Sequence, residues 1–201
     1  MIKLSRNALV LKYFTQHGQS VGRTRLIKLA YLADLHAREL LGHPITQFKY
    51  RWWPRGPFDQ CFYDATNELV DQGLATESEV HYPTGQVGKP LCDTGQSIAF
   101  DWSAAEAHVL AYVVEKYMNT ELSSLLEDIV YKTEPMQKIQ ETGKRDDTVP
   151  MELMNNRLKD KFGFDIEGIL TGEQEVEAGQ YKLATEFFDE LRAKIVGESA
   201  G

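Results

Sequence analysis

The sequence predicts a mainly α protein with a small β-hairpin (α+β), in which a winged-helix-like helical domain is followed by C-terminal helices. Apolar residues recur at helical spacing along most of the 201-residue chain. Residues 74–92 instead have β character and are interrupted at Pro83 and Gly85, which is typical of a hairpin with a polar tip. Three helices followed by a hairpin is the order of elements in a winged helix-turn-helix.

The first two helices are indicated by apolar faces that end at glycine. Residues 3–17 form a short amphipathic pattern that stops at Gly18. Residues 23–41 carry a wider apolar stripe that stops at Gly42. We therefore expect two helices that bury their apolar faces against the rest of the domain.

The segment 45–58 interrupts the helical pattern. Pro54 and Pro57 each fix their own φ and bias the preceding residue toward extended geometry. We expect an ordered, non-helical crossing here, with Pro57 as the first residue of a third helix over 57–72.

Adjacent tryptophans, Trp52 and Trp53, lie in this crossing between Arg51 and Arg55. Successive side chains of an extended strand point to opposite sides, so one tryptophan is expected in the core and the other at a contact surface. Tryptophan and arginine together are typical of protein-binding hot spots, and also of platforms that stack single-stranded nucleic acid. The acidic bulk of the chain favours a protein partner.

The rest of the chain is predicted to be helical. Ser103 and Glu106 have the spacing of a capping box and open a helix to about residue 117. A further helix is expected from about 119 to 133, and the polar, charged stretch 143–148 resembles a linker. Two more helices are predicted in the last part of the chain, over 151–162 and 175–196.

The composition limits the class of protein. No apolar run reaches the length of a membrane span, and the first residues lack the apolar block of a signal peptide, so we expect a cytoplasmic protein without membrane contact. The two cysteines are expected to be buried free thiols.

The charge is divided unevenly along the chain. Residues 1–60 hold ten Lys/Arg and three Asp/Glu, whereas residues 61–201 hold twelve Lys/Arg and 27 Asp/Glu. This division indicates either two faces with different partners or two halves that pack on each other.

No group of residues has the spacing of a catalytic, cofactor or metal site, and we expect a protein that is not an enzyme. Asp34, His36 and Glu39 crowd one helix, but their spacing favours a solvated face in which Asp34 pairs with Arg38. Cys61 is expected on the apolar side of the third helix, where it would be buried rather than nucleophilic.

A winged-helix DNA-binding transcriptional regulator is the alternative function. Such a domain reads the major groove with the exposed side of its third helix. The predicted third helix offers carboxylates and amides there, without Lys or Arg, and would repel phosphate. Nucleic acid is therefore disfavoured as a partner, at least through the usual recognition surface.

Several segments, taken in order, resemble the Panacea antitoxin family, which includes the SocA-like antitoxins. The first is Leu26-Ile27-Lys28-Leu29-Ala30-Tyr31-Leu32-Ala33-Asp34, followed by Gly42-His43-Pro44-Ile45. Tyr50-Arg51-Trp52-Trp53-Pro54-Arg55-Gly56-Pro57-Phe58 and the later Leu125–Pro135 complete the resemblance, which spans about residues 5–138. The order and spacing of these motifs agree with the family.

The resemblance implies a bacterial or phage protein that neutralises a toxin encoded beside it by direct binding, without a cofactor or metal. It implies a Panacea-like antitoxin domain over residues 1–142, and we expect residues 143–201 to form a C-terminal helical extension packed on it. The oligomeric state, including a homodimer, stays open. The candidate partner-binding residues are Arg51, Trp52, Trp53, Arg55, Tyr31 and Asp34.

Overall fold

The structure, a computed structural model, describes residues 3–81, 85 and 87–158. The predicted helix over 175–196, and the part of 151–162 after residue 158, lie outside these residues. The helices of the described part are α1 (Arg6–Gly18), α2 (Arg23–Leu41), α3 (Cys61–Asp71), α4 (Ala104–Tyr117), α5 (Leu122–Ser124) and α6 (Glu134–Thr142). Its strands are β1 (Ser20–Val21), β2 (Arg51–Trp53), β3 (Gly56–Phe58), β4 (Ala75–Glu77), β5 (Val80–His81), β6 (Val87–Gly88) and β7 (Leu91–Asp93).

The predicted mainly helical α+β class is confirmed. β4 pairs with β7 and β5 with β6, so the expected hairpin is present in two paired sections, while most of its predicted tip lies outside the described residues. The sequence did not predict β1, a two-residue strand that joins β7 and completes an antiparallel sheet of order β1-β7-β4. A strand between the first two helices, pairing with the later hairpin, gives this part of the chain the element order of a winged helix.

The central element is α2. All its residues from 26 to 37 are buried, because α1, α4, β3 and a 3₁₀ helix at Met151–Met154 pack around it. A helix buried on every side differs from the one-sided stripe that the sequence predicted. Its polar residues must therefore find partners inside the protein.

Tertiary contacts changed two of the predicted helices. The third helix begins at Cys61 and not at Pro57, because Pro57 pairs with Trp52 in a second, two-stranded hairpin of β2 and β3. The helix expected over 119–133 divides into α5, a π-helical turn at Leu125–Ile129 and a 3₁₀ turn at Val130–Lys132.

The helix α6 follows these turns and was not predicted. It starts with a proline in its first turn, a position where the missing N–H costs no hydrogen bond. By contrast, the capping box of Ser103 and Glu106 is present at the start of α4, as the sequence predicted. In the described part of the chain, no helix has the length and apolar character to cross a membrane.

Candidate partner-binding site

The β2–β3 hairpin presents the tryptophan and arginine side chains. Trp53 pairs with Gly56 across a tight turn whose tip is Pro54-Arg55. Gly56 has a φ of 85°, a left-handed conformation that glycine adopts without the steric cost borne by other residues. The sequence Trp-Pro-Arg-Gly-Pro therefore folds as a hairpin, which is the ordered, extended crossing that the prolines predicted.

The outer edge of β2 is also hydrogen-bonded. Asp147 accepts from the backbone N–H of Trp52, and Val149 donates to the carbonyl of Tyr50, each at 2.9 Å. The stretch 143–148, linker-like in composition, thus supports the hairpin. Residues Met151, Met154 and Leu158 are buried beyond it. The domain boundary at residue 142 stays a prediction.

The two tryptophans have different surroundings. Trp52 is half-buried against the core, with the guanidinium of Arg145 at 4.5 Å from its ring centroid. Trp53 points the other way and keeps 38% of its surface exposed. Its ring packs on Phe58 at a centroid distance of 5.3 Å. One tryptophan therefore faces the protein and one faces outward, as alternation along a strand predicts.

The two arginines of the hairpin also differ. Arg51 donates to the backbone carbonyl of Asp146 at 3.1 Å, and its guanidinium lies 3.5 Å from the Asp146 carboxylate. Arg55 is exposed at the turn and has no hydrogen bond or ion pair within the described part of the chain. We call the exposed side chains of Trp53, Arg55 and the neighbouring Tyr63 the hairpin rim.

The other two candidate contact residues, Tyr31 and Asp34, are fully buried. The Asp34 carboxylate accepts hydrogen bonds from the backbone N–H groups of Ile45 (2.8 Å) and Thr46 (2.7 Å). It also accepts from the hydroxyls of Thr46 and Tyr50. We call Asp34, Thr46, Tyr50 and Tyr31 the Asp34 cluster. Because its members lie inside the protein, they hold the fold and offer no surface to a partner.

The cluster fixes the approach to the hairpin. Tyr50 directly precedes β2, and its ring meets that of Tyr31 edge-on at 5.3 Å. The Tyr31 hydroxyl in turn hydrogen-bonds Thr133 at 2.7 Å. Burial raises the pKa of the Asp34 carboxyl, although four donors face it. These buried polar contacts tie α2 to the base of the hairpin.

Two expectations about reactive side chains were wrong. Asp34 does not pair with Arg38 on a solvated face, and His36 is also buried, with Tyr117 stacked on its ring. His36 Nδ1 lies 3.2 Å from Glu39. Cys61 is exposed, because it precedes the apolar stripe of α3 by one residue. The neighbouring carboxylate of Asp59 raises the pKa of the Cys61 thiol.

A cavity of about 300 Å³ opens beneath the hairpin, between the first turns of α2 and α3. Of the described residues that line it, three are cationic, four are aromatic and none is Asp or Glu. The cations are Arg23, Lys28 and Arg55, and the aromatic residues include Trp53 and Tyr63. The rim therefore surrounds a positively charged cavity.

Lys28 forms the floor of this cavity and is the functional candidate that the sequence analysis missed. It is 1% exposed, and its ammonium donates to the carbonyl of Pro57 at 2.6 Å. Burial, and next the charge of Arg55, lower the pKa of Lys28 to about 7. The feature of the sequence that could have indicated Lys28 is its position as a lysine inside an otherwise apolar stretch of α2.

The exposed face of α3, the recognition surface of a DNA-binding winged helix, is acidic. Asp64 and Asp71 are exposed on it and no Lys or Arg occurs in α3. Such a face repels a phosphate backbone. Three cationic residues, Arg23, Lys28 and Arg55, line the cavity beneath the hairpin instead.

Together these features define a mainly helical α+β protein of winged-helix order that displays an aromatic and basic hairpin. The family model described as "Antitoxin SocA-like, Panacea domain" matches residues 26–135. The chain therefore belongs to the SocA-like Panacea antitoxin family, which confirms the resemblance noted in its sequence. No curated protein and no solved structure matches the chain. The hairpin, the Asp34 cluster and Lys28 all lie inside the matched residues.

Proposed function

We propose that this protein is the antitoxin of a bacterial or phage toxin–antitoxin pair and that it neutralises its cognate toxin by binding it directly at the hairpin rim. One observation carries the choice of surface. Trp53 is exposed beside Arg55, an arginine that has no partner within the described residues. Family membership supports a toxin as the partner.

The rim has the chemistry of a binding hot spot. Trp, Tyr and Arg are the residue types that contribute most when an interface is truncated residue by residue. The backbone that carries Trp53 and Arg55 is ordered before binding, because the hairpin is paired on both edges of β2. A preordered surface loses less conformational entropy on association than a mobile loop does.

The proposal needs no chemistry from the antitoxin itself. Neutralisation by binding requires no catalytic group, and we propose a non-enzymatic protein that acts in the cytoplasm. Both cysteines of the described part are free thiols, which agrees with a reducing compartment.

The test is co-expression with the toxin encoded beside the gene. We expect the full-length protein to restore growth of cells that express the toxin, and to co-purify with it as a complex. Continued growth arrest, with both proteins soluble and abundant, would falsify the proposal.

A charge reversal locates the binding surface. We expect Arg55→Glu to lose growth rescue while the purified variant keeps its melting temperature, because Arg55 is exposed and has no hydrogen bond or ion pair within the described part of the chain. Lys138→Glu is the matched control, since Lys138 is an exposed cation on α6. Equal loss of rescue by both variants would mean that net charge, and not the rim, determines binding.

A further inference from the structure

We propose that the cavity beneath the hairpin is a carboxylate-binding site, which holds an acid group on a small apolar body between Lys28, Arg55 and the surrounding aromatic rings. Such a site goes beyond toxin neutralisation, because it would be present in the isolated protein. The cavity volume of about 300 Å³ is at the small end of ligand pockets and suits a group the size of one aromatic side chain.

The cations of the cavity lack a full set of counter-charges. Arg23 is paired with Glu77. Arg55 has no ion pair within the described residues, and Lys28 has only the neutral carbonyl of Pro57. Two cationic groups that face the same cavity repel each other unless an anion lies between them. A bound carboxylate would supply that missing charge.

The start of α2 adds to the positive potential. A helix N-terminus carries about half a positive charge, and it is usually balanced by an acidic residue or a capping side chain. The first turn of α2 has no acidic residue, and its N-cap, Gly22, has no side chain. Arg25, also in this turn, is held by backbone carbonyls that include Thr120 at 2.6 Å. An anion at the cavity would therefore balance the helix as well as the side chains.

The apolar walls select the rest of the ligand. Phe58 packs against Phe62 and Tyr63, at centroid distances of 6.1 and 5.6 Å, and Trp53 packs on Phe58. An inorganic anion such as phosphate would make no apolar contact with these rings. A carboxylate attached to a ring or branched chain would satisfy both the cations and the walls.

Binding of a carboxylate should be coupled to protonation of the Lys28 amine. Among the described residues, the charged and titratable groups that line the cavity with Lys28 are Arg23, which is paired with Glu77, Arg55 and Tyr63, and both Lys28 and Tyr131 lie next to Gly56. With its pKa lowered to about 7, part of the Lys28 amine is neutral at neutral pH. A carboxylate favours the ammonium form, so binding should take up a proton and should weaken above pH 7.

The experiment uses N-acetyl-L-phenylalanine as the probe and N-acetyl-L-phenylalaninamide as its uncharged control. Calorimetric titration of the isolated full-length protein should show the acid binding about tenfold more tightly than the amide, the difference expected for one charge-assisted hydrogen bond. Inorganic phosphate should bind more weakly than the acid. Absence of binding, equal affinity of acid and amide, or tighter binding of phosphate would each overturn the proposal.

Variants assign the binding to the cavity. Lys28→Met and Arg55→Gln should each reduce the preference for the acid over the amide, and Lys28→Met should abolish proton uptake, measured in two buffers of different ionisation enthalpy. Lys49→Met removes an exposed lysine outside the cavity and should change neither the preference for the acid nor the proton uptake. Arg55 is exposed, so its variant keeps the test valid should Lys28→Met fail to fold. Unchanged preference in both cavity variants contradicts the assignment.

Competition separates two sources of the acid group. If the probe displaces the cognate toxin, the natural carboxylate belongs to the toxin, and if it does not, the site takes a free small-molecule acid. Either result leaves the binding site established. Because the titration contains no toxin, its failure leaves the neutralisation proposal standing, and a failure of growth rescue leaves the titration unaffected.

Discussion

The Asp34 cluster and the hairpin rim are both polar regions of the family-matched segment, yet they differ in how their polar groups are satisfied. The Asp34 carboxylate is fully buried and accepts four hydrogen bonds. Arg55 is exposed and forms no hydrogen bond or ion pair with any other described residue. A polar group whose partners are all intramolecular serves the fold, whereas a polar group left without them is available for binding.

The two regions are mechanically connected. Tyr50 belongs to the cluster and is followed directly by β2, so the cluster sets the position from which the hairpin extends. The comparison therefore predicts two kinds of variant. Changes in the cluster should destabilise the protein, and changes in the rim should alter binding while the fold is kept.

The largest effect is expected for Asp34→Ala. The substitution leaves two backbone N–H groups and two hydroxyls buried without their acceptor, which should cost about 3 kcal/mol or more of unfolding free energy. Urea denaturation measures the loss. Asp34→Asn keeps one acceptor oxygen and should cost clearly less. A loss below about 1 kcal/mol for Asp34→Ala would contradict the claim that the Asp34 cluster holds the fold.

The two tryptophans give the next largest contrast. Trp52→Ala removes a half-buried ring and its contact with Arg145, and should cost about 2 kcal/mol of stability. Trp53→Ala should cost about half as much, because a large part of that ring is already exposed. Thermal unfolding of both variants shows which substitution causes the larger loss of stability. The reverse order would mean that Trp53 supports the fold.

The pH dependence of stability depends on Lys28. Its folded-state pKa, about 7, is below the ordinary value of 10.5, so between these values the unfolded chain binds more protons than the folded one. Stability should therefore rise as pH increases above 7, by about 2 kcal/mol up to pH 9. Urea unfolding of the wild type and of Lys28→Met at pH 6, 7, 8 and 9 tests this. Parallel pH profiles would show that Lys28 is not the origin of the rise.

The smallest effect is expected for Arg51→Ala. The Arg51–Asp146 ion pair is exposed, with more than half of each side chain accessible, and exposed pairs contribute about 0.5 kcal/mol or less. A double-mutant cycle with Asp146→Ala measures the coupling. A coupling above about 1 kcal/mol would mean that Arg51 stabilises the fold, as the residues of the Asp34 cluster do.

The parts of the fold that were predicted from sequence are those fixed by local rules. The glycine after α2, the capping box of Ser103 and the prolines of the hairpin each act within a few residues. The alternation of Trp52 and Trp53 is local in the same sense. These features need no knowledge of the rest of the molecule.

The parts that were missed depend on distant contacts. Asp34 has Arg38 at ideal helical spacing, but its actual donors come from residues 45, 46 and 50, and α2 is buried on all sides. Lys28 lies in the same helix, and only the placement of the hairpin over it makes a cavity with Arg55. β1 has two residues and exists because β7 pairs with it.

Whether the hairpin rim binds the toxin is decided by the affinity of Trp53→Ala for the cognate toxin, measured by calorimetry beside the melting temperature of the variant. We expect an affinity loss of about thirtyfold or more, equivalent to about 2 kcal/mol, with a melting temperature lowered by only a few degrees. Unchanged affinity in a folded variant would contradict the claim that the hairpin rim is the surface that binds the toxin.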